Sequence, residues 1–354
     1  MKITTIVGAR PQFIKSVPVS KELKNNNIEE VVIHTGQHFD QNMSSVFFDQ
    51  LKISKPNYKL NINNLKHGAM TGQMLEKIED ILYTEKPNYV LVYGDTNSTL
   101  AGALAASKLN IKLIHVEAGL RSFNMKMPEE INRIVTDRLS SYLFCPTDTA
   151  VNNLEREGFN SFDCRIFKSG DVMQDAANLF TQFARRPDVD IPDDFILCTI
   201  HRQENTDDEF KLKSILESLN LITKDRKIIF PIHPRTKNKL MQYSLNTSIN
   251  TNLILIEPVG YLEMLYLLNK CTLVITDSGG LQKEAFFFHK LCLTLRTETE
   301  WTELVENGFN FICSSAFNSI FENYTKIKNL SPDFNINLYG NGTAAKIIVE
   351  SLNK

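Results

Sequence analysis

Short, almost wholly apolar runs recur along the chain, spaced by stretches of helical composition. Thr4-Thr5-Ile6-Val7, Val31-Val32-Ile33-His34-Thr35, Tyr89-Val90-Leu91-Val92-Tyr93, Ile111-Lys112-Leu113-Ile114-His115-Val116 and Tyr142-Leu143-Phe144-Cys145 each read as a strand buried on both faces. Helices are predicted from about Gln12 to Leu23, near 41–51, over 71–84 and over Thr99–Lys108, and another opens at Ala150-Val151. A strand, a helix and a strand within about 30 residues form a βαβ unit. Residues 165–171 read as a last strand and a turn. After a Pro- and Asp-rich loop at 186–194 the pattern restarts. Phe195–Ile200, Lys227–Ile232, Leu253–Ile256 and Leu273–Thr276 are its strands, and Leu291–Leu295 closes the series. This alternation predicts an α/β fold of two Rossmann-like, doubly wound domains facing a cleft. A terminal helix, from about Gly342 to Leu352, could pack on either.

A length of 354 residues agrees with two domains. Hydrophobic residues make up 42% and charged ones 23%, as in an ordinary globular protein, and the formal net charge of -2 gives no case for nucleic acid or an anionic membrane. The six cysteines form no CxxC pair and several lie in apolar runs, which reads as buried free thiols of a reducing compartment. No apolar run approaches the roughly 18 residues of a membrane span. Strand-like residues begin at Lys2 with no signal-peptide pattern ahead of them, so a cytoplasmic location is expected.

Candidate chemistry gathers at strand ends. Asp95 and Glu117 follow consecutive strands, and ligands of such sheets bind at the carboxyl ends. Neighbouring carboxylates shift each other's pKa and can divide acid and base roles. Either acid could instead serve the loop or cap a helix, with Asn97 and Ser98 competing for that place. Ser278-Gly279-Gly280 opens a helix after a buried strand, an arrangement that suits a phosphate, with Glu284 further in; a plain Ser cap is the other reading. Arg10 and Lys15 place two cations near a helix start, as phosphate contacts or as solvated charges. His201 with Arg202, and more weakly His233, stand at strand ends where acid/base or phosphate work is done. Glu129 and Arg133 sit at pairing distance on a helix opened by Pro128, which is ordinary helix chemistry. The turn after the first strand lacks the glycine pattern of a dinucleotide site, and no metal-ligand spacing appears, so neither cofactor nor metal is expected.

Taken together, Gly8–Lys15, Thr35-Gly36-Gln37-His38, Tyr93-Gly94-Asp95-Thr96, His115–Arg121, Pro128-Glu129-Glu130-x-Asn132-Arg133, His201-Arg202-x-Glu204-Asn205 and Thr276–Glu284 resemble the non-hydrolysing UDP-N-acetylglucosamine 2-epimerases. The resemblance spans nearly the whole chain. It implies a GT-B-like pair of domains, residues 1–171 and 172–339, with a terminal helix at 340–354 packing back on the first, and a homodimer. It implies a UDP-sugar substrate and a two-stage reaction: UDP is eliminated to give a 2-acetamidoglycal, then re-adds as a proton reaches the other face of C2. Asp95, Glu117 and Glu129 are by this resemblance the catalytic carboxylates and His201 an essential residue beside them. Arg10, Lys15, Ser278, Gly279, Gly280, Glu284, Arg202 and His233 are the nucleotide and substrate contacts.

The chain also departs from the better-known members. It reads Gly-Ala-Arg-Pro-Gln where many read Gly-Thr-Arg-Pro-Glu, and Trp301 in Thr299-Glu300-Trp301-Thr302-Glu303 replaces an arginine that approaches UDP. Val259-Gly260-Tyr261 departs from the usual segment beside the uracil, and Lys66-His67-Gly68-Ala69-Met70 lacks an arginine expected where some members bind an activating substrate molecule. Such variants resemble the branch acting on UDP-2,3-diacetamido-2,3-dideoxyglucuronate. A retaining glycosyltransferase of the same build, a hydrolysing epimerase and a non-catalytic nucleotide-sugar sensor are the rival readings.

Overall fold

The computed structural model describes residues 1–37, 55–314 and 317–352. The helix expected near 41–51, and His38, lie outside the described residues. The chain divides into two compact units, Met1–Leu179 with Asn337–Lys354, and Phe180–Ile336.

In the first unit a parallel sheet carries β1 (Lys2–Val7), β2 (Glu29–His34), β3 (Tyr58–Lys59), β4 (Tyr89–Tyr93), β5 (Lys112–Val116), β6 (Tyr142–Cys145) and β7 (Arg165–Lys168). The spatial order is β3-β2-β1-β4-β5-β6-β7. Its central strands are apolar throughout because helices cover both faces. Ile3, Leu91, Ile114 and Phe144 point into one core cluster, and Ile6, Val90 and Val92 into another. The helix at Ala344–Leu352 adds Ala344, Ile348 and Val349 to the first of these, against Phe13, Val19 and Leu23 of the helix Arg10–Asn25.

The second unit repeats the design. Strands β8 (Phe195–Thr199), β9 (Lys227–Pro231), β10 (Leu253–Ile256), β11 (Leu273–Thr276), β12 (Leu291–Thr294) and β13 (Asn310–Ile312) form a parallel sheet in the order β10-β9-β8-β11-β12-β13. Leu291–Thr294 therefore does not close the series. A three-residue strand lies beyond it, too short to show a pattern of its own, just as the two-residue β3 does in the first unit.

Both sheets reverse direction at one place, between β1 and β4 in the first and between β8 and β11 in the second. At such a reversal the loops leaving the two central strands part in opposite directions and open a crevice at their carboxyl ends. In each unit the loops that border it carry the sequence motifs: Gly8-Ala9-Arg10 and Gly94-Asp95 in the first, His201-Arg202 and Asp277-Ser278 in the second.

Candidate active site

In the first unit, β4 and β5 run parallel with Tyr93 opposite Val116, so their carboxyl ends are level. Gly94 donates its N–H to the Val116 carbonyl at 2.9 Å, and Asp95 and Glu117 follow side by side. The next helix, Asn97–Lys108, is capped by Thr96, whose hydroxyl accepts from the Thr99 N–H. Neither Asp95, Asn97 nor Ser98 fills that place, which leaves the Asp95 carboxylate for other work.

Each acid has its own cation. Arg133 Nη1 lies 2.5 Å from Asp95 Oδ2, and Lys15 Nζ lies 2.5 Å from Glu117 Oε2. Lys15, expected from the sequence at a phosphate, is thus paired with a carboxylate. The expected Glu129–Arg133 pair is replaced: the guanidinium bonds Glu130 at 3.0 and 2.8 Å instead. Glu130 is buried and also accepts from the Ser122 and Phe123 N–H groups, while Glu129 is exposed at the start of the helix Pro128–Leu139. Burial pushes Asp95 above its ordinary value; Arg133 and Lys15 oppose this, and Glu117 and Glu129 add to it. The two acids proposed as a pair therefore feel each other.

Gln12, which stands where many members of the resembled family carry Glu, bridges this crevice. Its Oε1 accepts from the Gly8 and Ala9 N–H groups at 2.8 and 3.1 Å, and its Nε2 donates to the Tyr93 carbonyl at 2.7 Å and to Thr96 and Thr99. A buried side chain that must both donate and accept suits an amide. Gly8 is needed beside it: a Cβ there would come within 2.1 Å of the Ser98 hydroxyl and 2.2 Å of Thr35 Oγ1. Arg10 follows as the first residue of its helix.

The crevice of the second unit is bridged by Asp277. Wholly buried, it accepts from the His201 N–H at 3.0 Å, the Arg202 N–H at 2.9 Å and the Asn205 amide at 3.1 Å. This pins the loop after β8 to the end of β11. Burial holds the His201 ring below its ordinary value against the pull of Asp277, and Arg202 and His233 add to burial. His233 stands 5.6 Å from His201, centroid to centroid, and caps its own helix, Pro234–Gln242, with Nδ1 accepting from the Arg235 N–H.

Ser278 takes the cap position of the helix Gly279–Phe287 without using its hydroxyl there. The first N–H groups of that helix, from Gly279 and Gly280, have no place in the helical ladder, and a Cβ on Gly280 would meet nothing within 4 Å. Glu284 lies buried further along. Trp301 is buried against the same helix start, its indole N–H donating to the Gly279 carbonyl at 2.9 Å and its ring 4.0 Å from Lys283 Nζ. Arg296 meets Glu300 at 2.9 Å. Burial would raise Glu300, yet Arg296, with Arg202 behind it, holds it below the usual range. Each sheet thus carries charged groups and N–H donors at its point of reversal, where ligands of parallel α/β sheets bind.

A family profile described as UDP-N-acetylglucosamine 2-epimerase matches residues 21–353. The chain belongs to this family. A UDP-2,3-diacetamido-2,3-dideoxy-D-glucuronate 2-epimerase of Pseudomonas aeruginosa is 52% identical over 357 residues, covering 100% of both chains. The solved UDP-GlcNAc 2-epimerase of Methanocaldococcus jannaschii, in complex with UDP-GlcNAc and UDP, is 44% identical with a TM-score of 0.88, covering 100% of this chain and 99% of its own. That of Neisseria meningitidis, bound to UDP-GlcNAc, is 34% identical with a TM-score of 0.88, covering 100% of both. The doubled parallel α/β architecture is thus that of the family. Among the described residues no helix is long and apolar enough to cross a membrane.

Proposed function

We propose that the chain is a non-hydrolysing 2-epimerase that interconverts UDP-N-acetylglucosamine and UDP-N-acetylmannosamine. Family membership supports the reaction class, and the coupled pair Asp95 and Glu117 carries the chemistry. In the first stage a base takes the C2 proton and the C1–O bond breaks, its electron pair leaving with UDP. The remaining electrons close a C1–C2 double bond, giving the 2-acetamidoglycal. In the second, UDP adds back to C1 as a proton reaches the opposite face of C2. No hydride moves, so no redox cofactor is required.

Asp95, raised above its ordinary value by burial and by its acidic neighbours, is assigned as a group that takes and gives a proton. Glu117 and Glu129 are its proposed partners in the relay. We assign the departing diphosphate to the N–H groups of Gly279 and Gly280, the Ser278 hydroxyl and Arg202, since charge accumulates on it as C1–O breaks. Glu284 is assigned to sugar hydroxyls of the nucleotide, and His201 and His233 to polar contacts with the substrate. The six free cysteines support a cytoplasmic enzyme; a homodimer completes the proposal.

A second reading concerns the sugar alone. The Pseudomonas relative, at 52%, shares more of this sequence than the two solved relatives do, and favours UDP-2,3-diacetamido-2,3-dideoxyglucuronate as substrate. Incubation of each UDP-sugar in D2O, without acceptor, tests both readings. C2 inversion with deuterium at C2 is expected; the sugar with the higher kcat/KM is the substrate. Retention of the original hydrogen, release of free sugar, or no turnover without an acceptor each overturns the proposal.

A further inference from the structure

His115 and Asp137 are both fully buried beneath the turns that carry Asp95 and Glu117. His115 Nε2 lies 2.8 Å from the Gly94 carbonyl, and Nδ1 lies 2.6 Å from Asp137 Oδ1. A carbonyl only accepts, so Nε2 carries hydrogen. Asp137 Oδ2 accepts from the Gly119 N–H at 3.1 Å and from Arg121 Nη1 at 2.7 Å. Arg121 is itself fixed by Glu157, at 2.7 and 2.8 Å. Burial alone would raise Asp137, but His115 and Arg121 outweigh it and hold the carboxyl below its usual range. Nδ1 and Asp137 Oδ1 form the second hydrogen bond of the ring.

The ring thus joins two turns. The Nε2–H grips Gly94, the residue before Asp95; Nδ1 meets Asp137, which grips Gly119, two residues after Glu117. These turns need holding. Glu117 has φ +72°, the left-handed region, which is strained for a residue with a side chain and persists only where its surroundings over-determine it. Its N–H and that of Ala118 share the Phe144 carbonyl, each at 3.1 Å, and Gly94 and Gly119 are left-handed too.

Building on the proposed C2 epimerisation, we infer that His115 is a positioning residue: hydrogen-bonded through both ring nitrogens, it locks the Gly94 and Gly119 turns together and sets Asp95 and Glu117 at their working separation. It touches no substrate. Its effect is on the chemical step, where a displacement of about 1 Å can cost roughly 100-fold.

The test compares wild type with His115→Asn, which keeps a hydrogen-bonding group toward Asp137, and His115→Gln, which keeps a donor toward Gly94. Rates are normalised to UDP-binding sites by calorimetry, so unfolded protein does not count. Expected are UDP affinities within about threefold of wild type and a kcat lowered about 100-fold in His115→Asn, partly rescued in His115→Gln. Imidazole NMR of 15N-labelled wild type should show a protected Nε2–H on His115. Wild-type kcat in His115→Asn, or an unprotected Nε2 in the wild-type ring, overturns the inference. A wild-type enzyme that inverts no UDP-2-acetamido sugar instead ends the functional reading, and the Nε2–H protection still stands apart from it.

Discussion

The Lys15 ammonium lies 2.5 Å from Glu117 Oε2, joining the helix after β1 to the turn after β5. Lys15 is 15% exposed and Glu117 5%, so water screens the pair little. A cation here stabilises negative charge on Glu117, and it also opposes the rise of Asp95.

Lys15→Met is therefore expected to lower kcat by roughly 10², the scale of impaired general acid/base catalysis, while UDP affinity changes little. Steady-state kinetics and UDP calorimetry check this. A large loss of UDP affinity with kcat maintained would return Lys15 to the phosphate contact expected from its motif.

The second expectation follows from Asp95. Its carboxyl is raised above the ordinary aspartate value of about 3.9, so the acid limb of kcat/KM should lie above that pH. Glu129 is one of the carboxylates that raise it. Removing that negative charge in Glu129→Gln eases ionisation of Asp95 and moves the limb to lower pH. If Glu129 also relays a proton, kcat falls at all pH values. Profiles of the two proteins decide: an unmoved limb with unchanged kcat would make Glu129 no more than an exposed residue at a helix start.

Asp175 makes a third case. Its two carboxylate oxygens accept from the N–H groups of Ala344 and Ala345, at 3.1 and 2.9 Å, and so hold the start of the C-terminal helix. Asp175→Ala leaves two buried donors unmatched, at a cost of about 1–3 kcal/mol each. Thermal unfolding should fall by roughly 2–4 °C per kcal/mol in a domain of this size, and limited proteolysis should release the C-terminal segment. Asp175→Asn, which keeps one acceptor, should lie between. An unchanged Tm in Asp175→Ala would show that the apolar face of Ile348 and Val349 holds the helix alone.

The positions of Asp95 and Glu117 were legible because each ends an apolar run, and a strand buried on both faces needs such a run. Ser278-Gly279-Gly280 was legible for a similar reason: a buried strand before it and a helix after it bring helix N–H groups to the sheet end. The partners of these residues were not. Sequence spacing offered Glu129 to Arg133, since residues four apart share a helix face, yet the guanidinium bonds Glu130 and reaches Asp95 across the sheet. His115 was legible only as the first residue of the His115–Arg121 motif, because a histidine inside an apolar run otherwise reads as core. Its partner Asp137 sits on another element, and only the register of β5 beside β4 brings Gly94 to the ring.

By itself, the sequence determined the alternation of strands and helices, its restart near Phe195, and the loops in which the chemistry lies, since these follow from local periodicity and from turn residues. Tertiary structure decided the rest: the strand order, the short edges β3 and β13, the bridging of each crevice by Gln12 and Asp277, and the charge that each acid feels. The reason is physical. Periodicity is set by neighbours a few residues apart. A hydrogen bond or a pKa shift depends on distance in space, and Gln12 meets Tyr93, and Asp277 meets His201, only because parallel strands far apart in sequence lie next to one another.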